Sequence, residues 1–293
     1  MHAQIPLLID TPSALKALSG TRALYTDLDG TLLGIGGSLL LGADGAASAH
    51  TAEAIAQVNA AGLEVIICSG RNRIQTSEIA RLLGWRGFIA ELGCVIVPDR
   101  GAEPTYYLGA WEETMLRPDE TPFEAIERVG ALAALRREFP GLIENHDPYH
   151  LNREATHVLR GHLDREHAQR VLDGLDLPVE ILDNGIIHPS RTTLSGVDEV
   201  HAYHLIPAGV TKRDAVAADR ARRGLAQADA WSIGDSASDV LMAKETAIGV
   251  LVANALDDVR VLEAARSLDN VFATRGHRGD GWAEAADAWL AAR

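Results

Sequence analysis

Short apolar runs that stop at acidic or small residues, each followed by a helix-length segment, constrain this chain more than any other feature. Ala23-Leu24-Tyr25-Thr26 runs into Asp27, Leu63 to Cys68 (interrupted only by Glu64) runs into Ser69-Gly70, and Phe88-Ile89-Ala90 follows Gly84-Trp85. Unbroken apolar runs of this length suit strands covered on both faces. Between them, Thr51 to Ala61 ends at Gly62, and a segment carrying Ile74, Ile79, Leu82 and Leu83 ends at Gly84; both read as helices with a glycine stop. Strand, helix, strand, helix, strand is the grammar of a parallel α/β sheet with right-handed crossovers. Ligands of such sheets gather beyond the carboxyl ends of the strands, where Asp27, Asp29 and Ser69 fall.

Residues two apart in an extended chain point to one side, so Asp27 and Asp29 can face a common site. Two carboxylates so placed repel unless a cation, a proton or a division of roles relieves them. They are candidates for a metal site with a nucleophile and an acid/base partner. Asp29-Gly30 is also a common turn pair, and the stretch alone fits both readings.

Four stretches in order resemble the haloacid dehalogenase (HAD) superfamily of phosphatases: Asp27-Leu28-Asp29-Gly30-Thr31-Leu32, Ile66-Ile67-Cys68-Ser69-Gly70-Arg71, Gly209-Val210-Thr211-Lys212, and Gly234-Asp235-Ser236-Ala237-Ser238-Asp239. Asn254-Ala255 and Gly279-Asp280-Gly281 resemble the C-terminal pattern of its Cof-type members, and mannosyl-3-phosphoglycerate phosphatases and related sugar-phosphate phosphatases look most similar. The resemblance implies a Rossmann-like parallel sheet core with an inserted α+β cap of the C2 type. It implies Asp27 as a nucleophile that forms an aspartyl-phosphate and Asp29 as general acid/base. A Mg²⁺ ion would take the carboxylates of Asp27 and Asp235 and the backbone carbonyl of Asp29. Asp239, at capping-box spacing from Ser236, would cap a helix, orient the metal's waters, or both. Ser69, the Gly70 amide, Lys212 and Asn254 would hold the phosphate, while Arg71 is open between substrate contact and a surface ion pair. The family's usual form at the fourth motif is closer to Gly-Asp-Gly-x-Asn-Asp, so Ser236 and Ser238 depart from it, and an Asn side chain is lost.

The grammar changes after about residue 105. Thr121-Pro122-Phe123-Glu124 is a capping box that predicts a helix to about Phe139, stopped by Pro140-Gly141. Strand-like pieces follow near Leu142-Ile143 and Ala155 to Leu159, then a helix from about Asp164 to Leu175, then strand-like Val179 to Leu182 and Gly185 to Ile187. The repeated helix-strand-strand unit predicts a separate antiparallel layer, so the expected organisation is a core of 1–105 and 199–293 with an inserted cap of 106–198. A strand near Ala202 to Ile206, a helix from Thr211, strands at Ala230 to Ile233 and Ile248 to Val252, and a helix from Trp282 to Leu290 are read with the core. Residues 1–20 read as an extension packed on that core, and Gly34-Ile35-Gly36-Gly37 as a flap beside the site. In the insert, the loops with His150, Asn152 and Arg153 and with Asp183, Asn184 and His188 are candidates for facing the substrate. Neighbouring histidines such as His162 and His167 or His201 and His204 show no metal motif and read as scattered.

Lys plus Arg number 27 against 41 Asp plus Glu, a formal charge of −14. That balance repels nucleic acid and anionic lipid, so neither is an expected partner; the resemblance implies a small phosphorylated metabolite instead. Two cysteines, no basic leader and no membrane-length apolar run predict a cytoplasmic protein. The expected activity is Mg²⁺-dependent hydrolysis of a sugar or polyol phosphate. Two rivals remain: a phosphomannomutase-like phosphomutase, and a non-enzymatic receiver-like module that also uses paired Asp, Mg²⁺ and Lys.

Overall fold

A computed structural model describes residues 5–189 and 191–293. In chain order the elements are α1 (Pro12–Ser19), β1 (Ala23–Thr26), α2 (His50–Ala60), β2 (Glu64–Cys68), α3 (Arg73–Leu83), β3 (Phe88–Ala90), β4 (Val95–Val97), β5 (Thr105–Tyr106), α4 (Pro122–Arg128), α5 (Ala131–Glu138), β6 (Ile143–Asn145) and β7 (His157–Gly161). There follow α6 (Arg165–Leu172), β8 (Val179–Ile187), β9 (Val200–Pro207), α7 (Lys212–Arg222), β10 (Ala230–Gly234), α8 (Ala237–Val240), β11 (Ile248–Leu251), α9 (Val259–Ala265), β12 (Val271–Ala273) and α10 (Arg278–Ala291).

Among the described residues an eight-stranded sheet runs β12-β11-β10-β1-β2-β3-β4-β5. β12 through β3 are parallel, and β4 and β5 add an antiparallel edge. The apolar runs are strands because both faces are covered. Leu24, Val65 and Ile67 pack with Val58, Trp282 and Trp289 on one side, while Tyr25, Ile66 and Cys68 pack with Ala215, Val216 and Met242 on the other. This is the α/β class with a parallel core that the apolar grammar implies. β4, β5 and β12 were not foreseen; they are short edge pieces whose pairing partners lie on other strands. Of the 1–20 extension, residues 1–4 lie outside the described part. The rest pairs Leu7 with Ala273 in a single bridge and then forms α1; Leu8, ahead of the helix, and Leu18, within it, are fully buried on the core.

A second, four-stranded antiparallel sheet runs β6-β7-β9-β8. The helices α4, α5 and α6 cover one of its faces through Ile126, Leu135 and Leu172 packed on Leu159, Ile181 and Leu205. Three expectations need correction here. β9 was read with the core, yet it pairs with β7 and β8. A strand in the middle of an antiparallel sheet, buried along most of its length, has the same apolar signature as a parallel one. The helix expected to run from Thr121 to Phe139 is two helices, because Gly130 sits at φ +78° between them. The two pieces near Val179 and Gly185 are one strand with a register shift between Asp183 and Ile186.

A buried carboxylate joins the two sheets. Glu91, fully buried just after β3, accepts from the amides of Glu154, Ala155 and Thr156 at 2.9, 3.2 and 2.8 Å and from the Thr156 hydroxyl at 2.7 Å. Burial pushes its carboxyl up, and Arg153 and these donors work against that rise. Nearby, Arg153 Nη2 donates to the Gly70 carbonyl at 3.0 Å, and Asn72 Nδ2 to the Leu151 carbonyl at 2.9 Å. The small sheet is thereby held over the carboxyl edge of the large one.

Candidate active site

β1 has β2 on one flank and β10 on the other. The chain leaves β1 toward β2 and returns, after the small sheet, to β10. Such a reversal opens a crevice at the carboxyl edge of a parallel sheet. Asp27 follows β1 directly, its amide donating to the Ile233 carbonyl at 3.0 Å, and its side chain is buried. Asp235 follows β10, and its carboxylate accepts from the Thr31 hydroxyl at 3.1 Å. Lys212 opens α7 behind the N-cap Thr211. Its ammonium donates to Asp27 Oδ1 at 2.8 Å and to Asp239 Oδ1 at 2.7 Å, which outweighs its unfavourable place at a helix N-terminus.

Carboxylate oxygens of Asp27, Asp235 and Asp239 lie within 4.8 Å of one another. Burial pushes the Asp27 carboxyl up; Lys212 counters this and Asp239 adds to it. Burial likewise raises Asp235, reinforced by the charges of Asp27 and Asp239. Burial opposes the Lys212 proton, but Asp239 and Asp27 hold it firmly. One ammonium among three carboxylates stays charged, while the carboxylates share an excess of negative charge. An all-oxygen donor set with excess negative charge suits a hard divalent cation.

The spacing left Asp239 open between two roles. Its Oδ2 accepts from the amides of Asp235 and Ser236 at 3.3 and 3.0 Å and from the Ser236 hydroxyl at 2.6 Å, so it caps α8 while its other oxygen holds Lys212. Asp29 stands apart from the trio. Its side chain is half exposed, and both oxygens are taken by Arg71, Nε to Oδ2 at 2.8 Å and Nη2 to Oδ1 at 2.5 Å. Arg71, open in the sequence between substrate contact and ion pair, is therefore an ion-pair partner at the cavity rim. Ser69 is buried at the end of β2, where its hydroxyl accepts from the Arg71 amide at 3.3 Å. Asn254, expected near the phosphate, donates to the Gly30 carbonyl at 3.0 Å and to Asp235 Oδ2 at 3.4 Å, and so buttresses the turn after β1.

Gly30 has φ +85°, and a Cβ built there would lie 2.2 Å from Asp235 Oδ2. Gly30→Ala should lose about 1–3 kcal/mol of stability through backbone strain and displace the Asp235 carboxylate. Thermal melts with and without a divalent cation check this. An alanine variant that melts and binds the cation as the wild type does would refute the close approach.

A cavity of about 670 Å³ lies between the sheets. Its floor includes Asp27, Asp29, Ser69, Gly70, Lys212, Asp235 and Asp239, with Gly36 and Gly37 beside them where the flap was expected. Its roof includes His146, Tyr149, Arg153, Asn184 and His204. Of the roof positions expected from the sequence, Arg153 and Asn184 line it. His188 is exposed elsewhere, and His150 is buried with Nδ1 against the Val158 carbonyl at 3.0 Å. The Arg153 guanidinium is committed to the Tyr149 carbonyl at 2.8 Å, Thr156 Oγ1 at 2.8 Å and the Gly70 carbonyl. Its part is to join roof to floor. His146, Tyr149, His204 and the joining Glu91 escaped sequence reading because no local spacing marks them.

The sequence model of the haloacid dehalogenase-like hydrolases matches residues 24–114 and 191–268. A phosphoglycolate phosphatase of Methanopyrus kandleri is 28% identical over 243 residues, covering 82% of this chain and 88% of that protein. The solved structure of Thermoplasma acidophilum 0175 superposes with a TM-score of 0.60 at 18% identity, covering 92% of this chain and 98% of that one. A sucrose-phosphatase from Synechocystis sp. PCC6803, solved with sucrose and phosphate, gives 0.58 at 15% identity over 92% of this chain and 98% of its own. With the family's pattern matched on both stretches that supply the carboxylates and the lysine, this chain belongs to the haloacid dehalogenase-like hydrolase family.

Proposed function

We propose that the chain is a Mg²⁺-dependent phosphomonoesterase acting on a small sugar or polyol phosphate, with residues 106–198 as the core of a cap over the site and β9 completing that cap's sheet. The observation that carries the reading is the Lys212 ammonium shared by Asp27 and Asp239 beside Asp235, at the floor of a covered cavity. The family match breaks between residues 114 and 191, within the stretch assigned to the cap.

Asp27, Asp235 and Asp239 are the carboxylates that would hold Mg²⁺ or its waters, with the Asp29 backbone carbonyl. The bound ion would neutralise charge between an anionic nucleophile and an anionic phosphoryl group. With Lys212 on Oδ1, Asp27 keeps Oδ2 as the attacking oxygen. A bond forms from Asp27 to phosphorus as the ester P–O bond breaks, and Asp29 gives its proton to the departing alkoxide oxygen. Asp29 then takes a proton from water, which attacks phosphorus, releases inorganic phosphate and restores the Asp27 carboxylate. Because Arg71 engages both oxygens of Asp29 in this structure, the pair has to part before that proton can move. The Ser69 hydroxyl and the Gly70 amide, both lining the cavity, would take the non-reacting phosphate oxygens.

The roof supports a neutral, hydroxyl-rich leaving group. Burial holds His204 well below its ordinary protonation range, and the Nδ1 atoms of His146 and His204 are buried without a partner among the described residues. Neutral imidazoles bind hydroxyls. The names of the curated relatives favour a second reading, phosphoglycolate as substrate. A two-carbon acid would leave much of the 670 Å³ cavity unfilled, however, and the cavity-lining Lys212, Arg71 and Arg153 are each engaged by protein groups. The test is phosphate release with Mg²⁺ across sugar phosphates, polyol phosphates and phosphoglycolate. Highest kcat/KM on phosphoglycolate would overturn the sugar reading, and phosphate retained on a bisphosphorylated sugar would indicate a mutase.

A pH effect accompanies the metal. In the unfolded chain Asp27 and Asp235 ionise near pH 4, roughly the ordinary aspartate value. In the metal-free fold they are pushed up to about 7 and about 8. Between those limits the folded state binds more protons, so metal-free stability falls as pH rises and levels off above pH 8 or so. Mg²⁺ should therefore raise Tm little at about pH 5 and most at about pH 8. A shift of equal size at both would contradict the assignment.

A further inference from the structure

We propose that the cap carries a second metal site, for a transition-metal dication of the zinc type, built from His162, Glu199 and His201. One donor atom from each residue lies within 4.8 Å of the others. Glu199 and His201 are two apart as the chain enters β9, so their side chains share a face. Gly161, the last residue of β7, is paired with His201, which brings the adjacent His162 alongside. The two imidazole rings stand edge to face with centroids 5.9 Å apart.

The surroundings of His201 point to a cation. Its Nδ1 lies 3.0 and 2.9 Å from the two oxygens of Asp183, while Nε2 lies 3.0 Å from Glu199 Oε1. A neutral imidazole has one proton, and donating it to Asp183 leaves the Nε2 lone pair facing a carboxylate. Either a second proton or a shared metal ion satisfies that arrangement. A carboxylate behind the far nitrogen is the support that metal-bound histidines use, since it fixes the tautomer and strengthens the donor. The Nε2···Oε1 separation is close to the roughly 3.3 Å chord spanned by two ligands on a tetrahedral zinc. Two imidazoles and one carboxylate favour Zn²⁺, Co²⁺ or Ni²⁺ over Mg²⁺, with water completing the shell.

This site is separate from the carboxylate trio. His201 stacks on Tyr203, a residue of the helix-covered core of the small sheet, whereas the neighbouring Ala202 and His204 line the catalytic cavity on the opposite face. A bound ion would tie the end of β7 to the start of β9 and so close the excursion of the chain between residues 162 and 199.

The experiment is calorimetric titration of the full-length protein with Zn²⁺ in excess Mg²⁺, so that the trio is occupied, alongside melting curves and the visible spectrum with Co²⁺. The expected result is one Zn²⁺ per chain, a Tm raised by Zn²⁺, and Co²⁺ bands of an imidazole-bound ion. His162→Ala, at an exposed position, should abolish all three while phosphate release stays unchanged. His201→Ala should do the same, and Asp183→Asn should weaken binding about 10- to 100-fold. Two results would overturn the proposal: no Zn²⁺ uptake by the wild type, which leaves His201 as a protonated ion-pair partner, or uptake unchanged in His162→Ala, which places the ion elsewhere.

Discussion

Asp27→Asn is expected to abolish turnover by a factor on the order of 10⁴–10⁶ while leaving the fold intact. The amide is nearly isosteric and can still accept from Lys212, so the hydrogen bond at 2.8 Å has a successor. Only the nucleophilic oxygen is gone, and with it the covalent phosphoryl intermediate. The substitution also removes one of three crowded negative charges, itself buried. The metal-free variant should therefore melt at or above the wild-type temperature. Phosphate release on the best substrate, read beside circular dichroism and a melting curve, separates chemistry from folding. A folded Asp27→Asn protein with near-normal turnover would remove the proposed mechanism altogether.

Lys212→Met carries the second large effect, and this one reaches both activity and stability. Lys212 is buried, and its ammonium serves Asp27 and Asp239, whose side chains are themselves almost fully enclosed. Methionine keeps the stem and deletes the charge, leaving buried carboxylates without their cation. Breaking a buried ion pair from one side costs about 3–5 kcal/mol. The deficit should be largest above neutral pH, where Asp27, pushed up to about 7 by burial, ionises, and should shrink in acid as it takes up a proton. Added Mg²⁺ should restore part of it. Activity should fall on every substrate alike, about 10²–10³-fold, because the lysine serves the phosphoryl group common to all of them. Urea unfolding at two pH values, with and without Mg²⁺, is the measurement. A loss under about 1 kcal/mol in alkaline, metal-free buffer would show that the ammonium is not what holds the trio together.

The sequence by itself determined most strands and helices of the parallel core, though not β12 and not the place of β9, and it marked the candidate site residues along the chain. Apolar runs ending at Thr26, Cys68 and Gly234, with Asp27, Ser69 and Asp235 next, are local patterns, and local patterns dictate local conformation. Thr211 before Lys212 and Ser236 before Asp239 are likewise short-range capping signals. Tertiary structure alone decided what these residues meet. Asp27 and Lys212 are 185 positions apart, and nothing near either one states that they touch. The same holds for the pairing of Asp29 with Arg71, the seat of Glu91 among the amides of residues 154–156, and the roof formed by His146, Tyr149 and His204. β9 shows the limit most plainly. Its apolar pattern records that it is buried but not between which neighbours, and strand partners are chosen by contacts across the sheet.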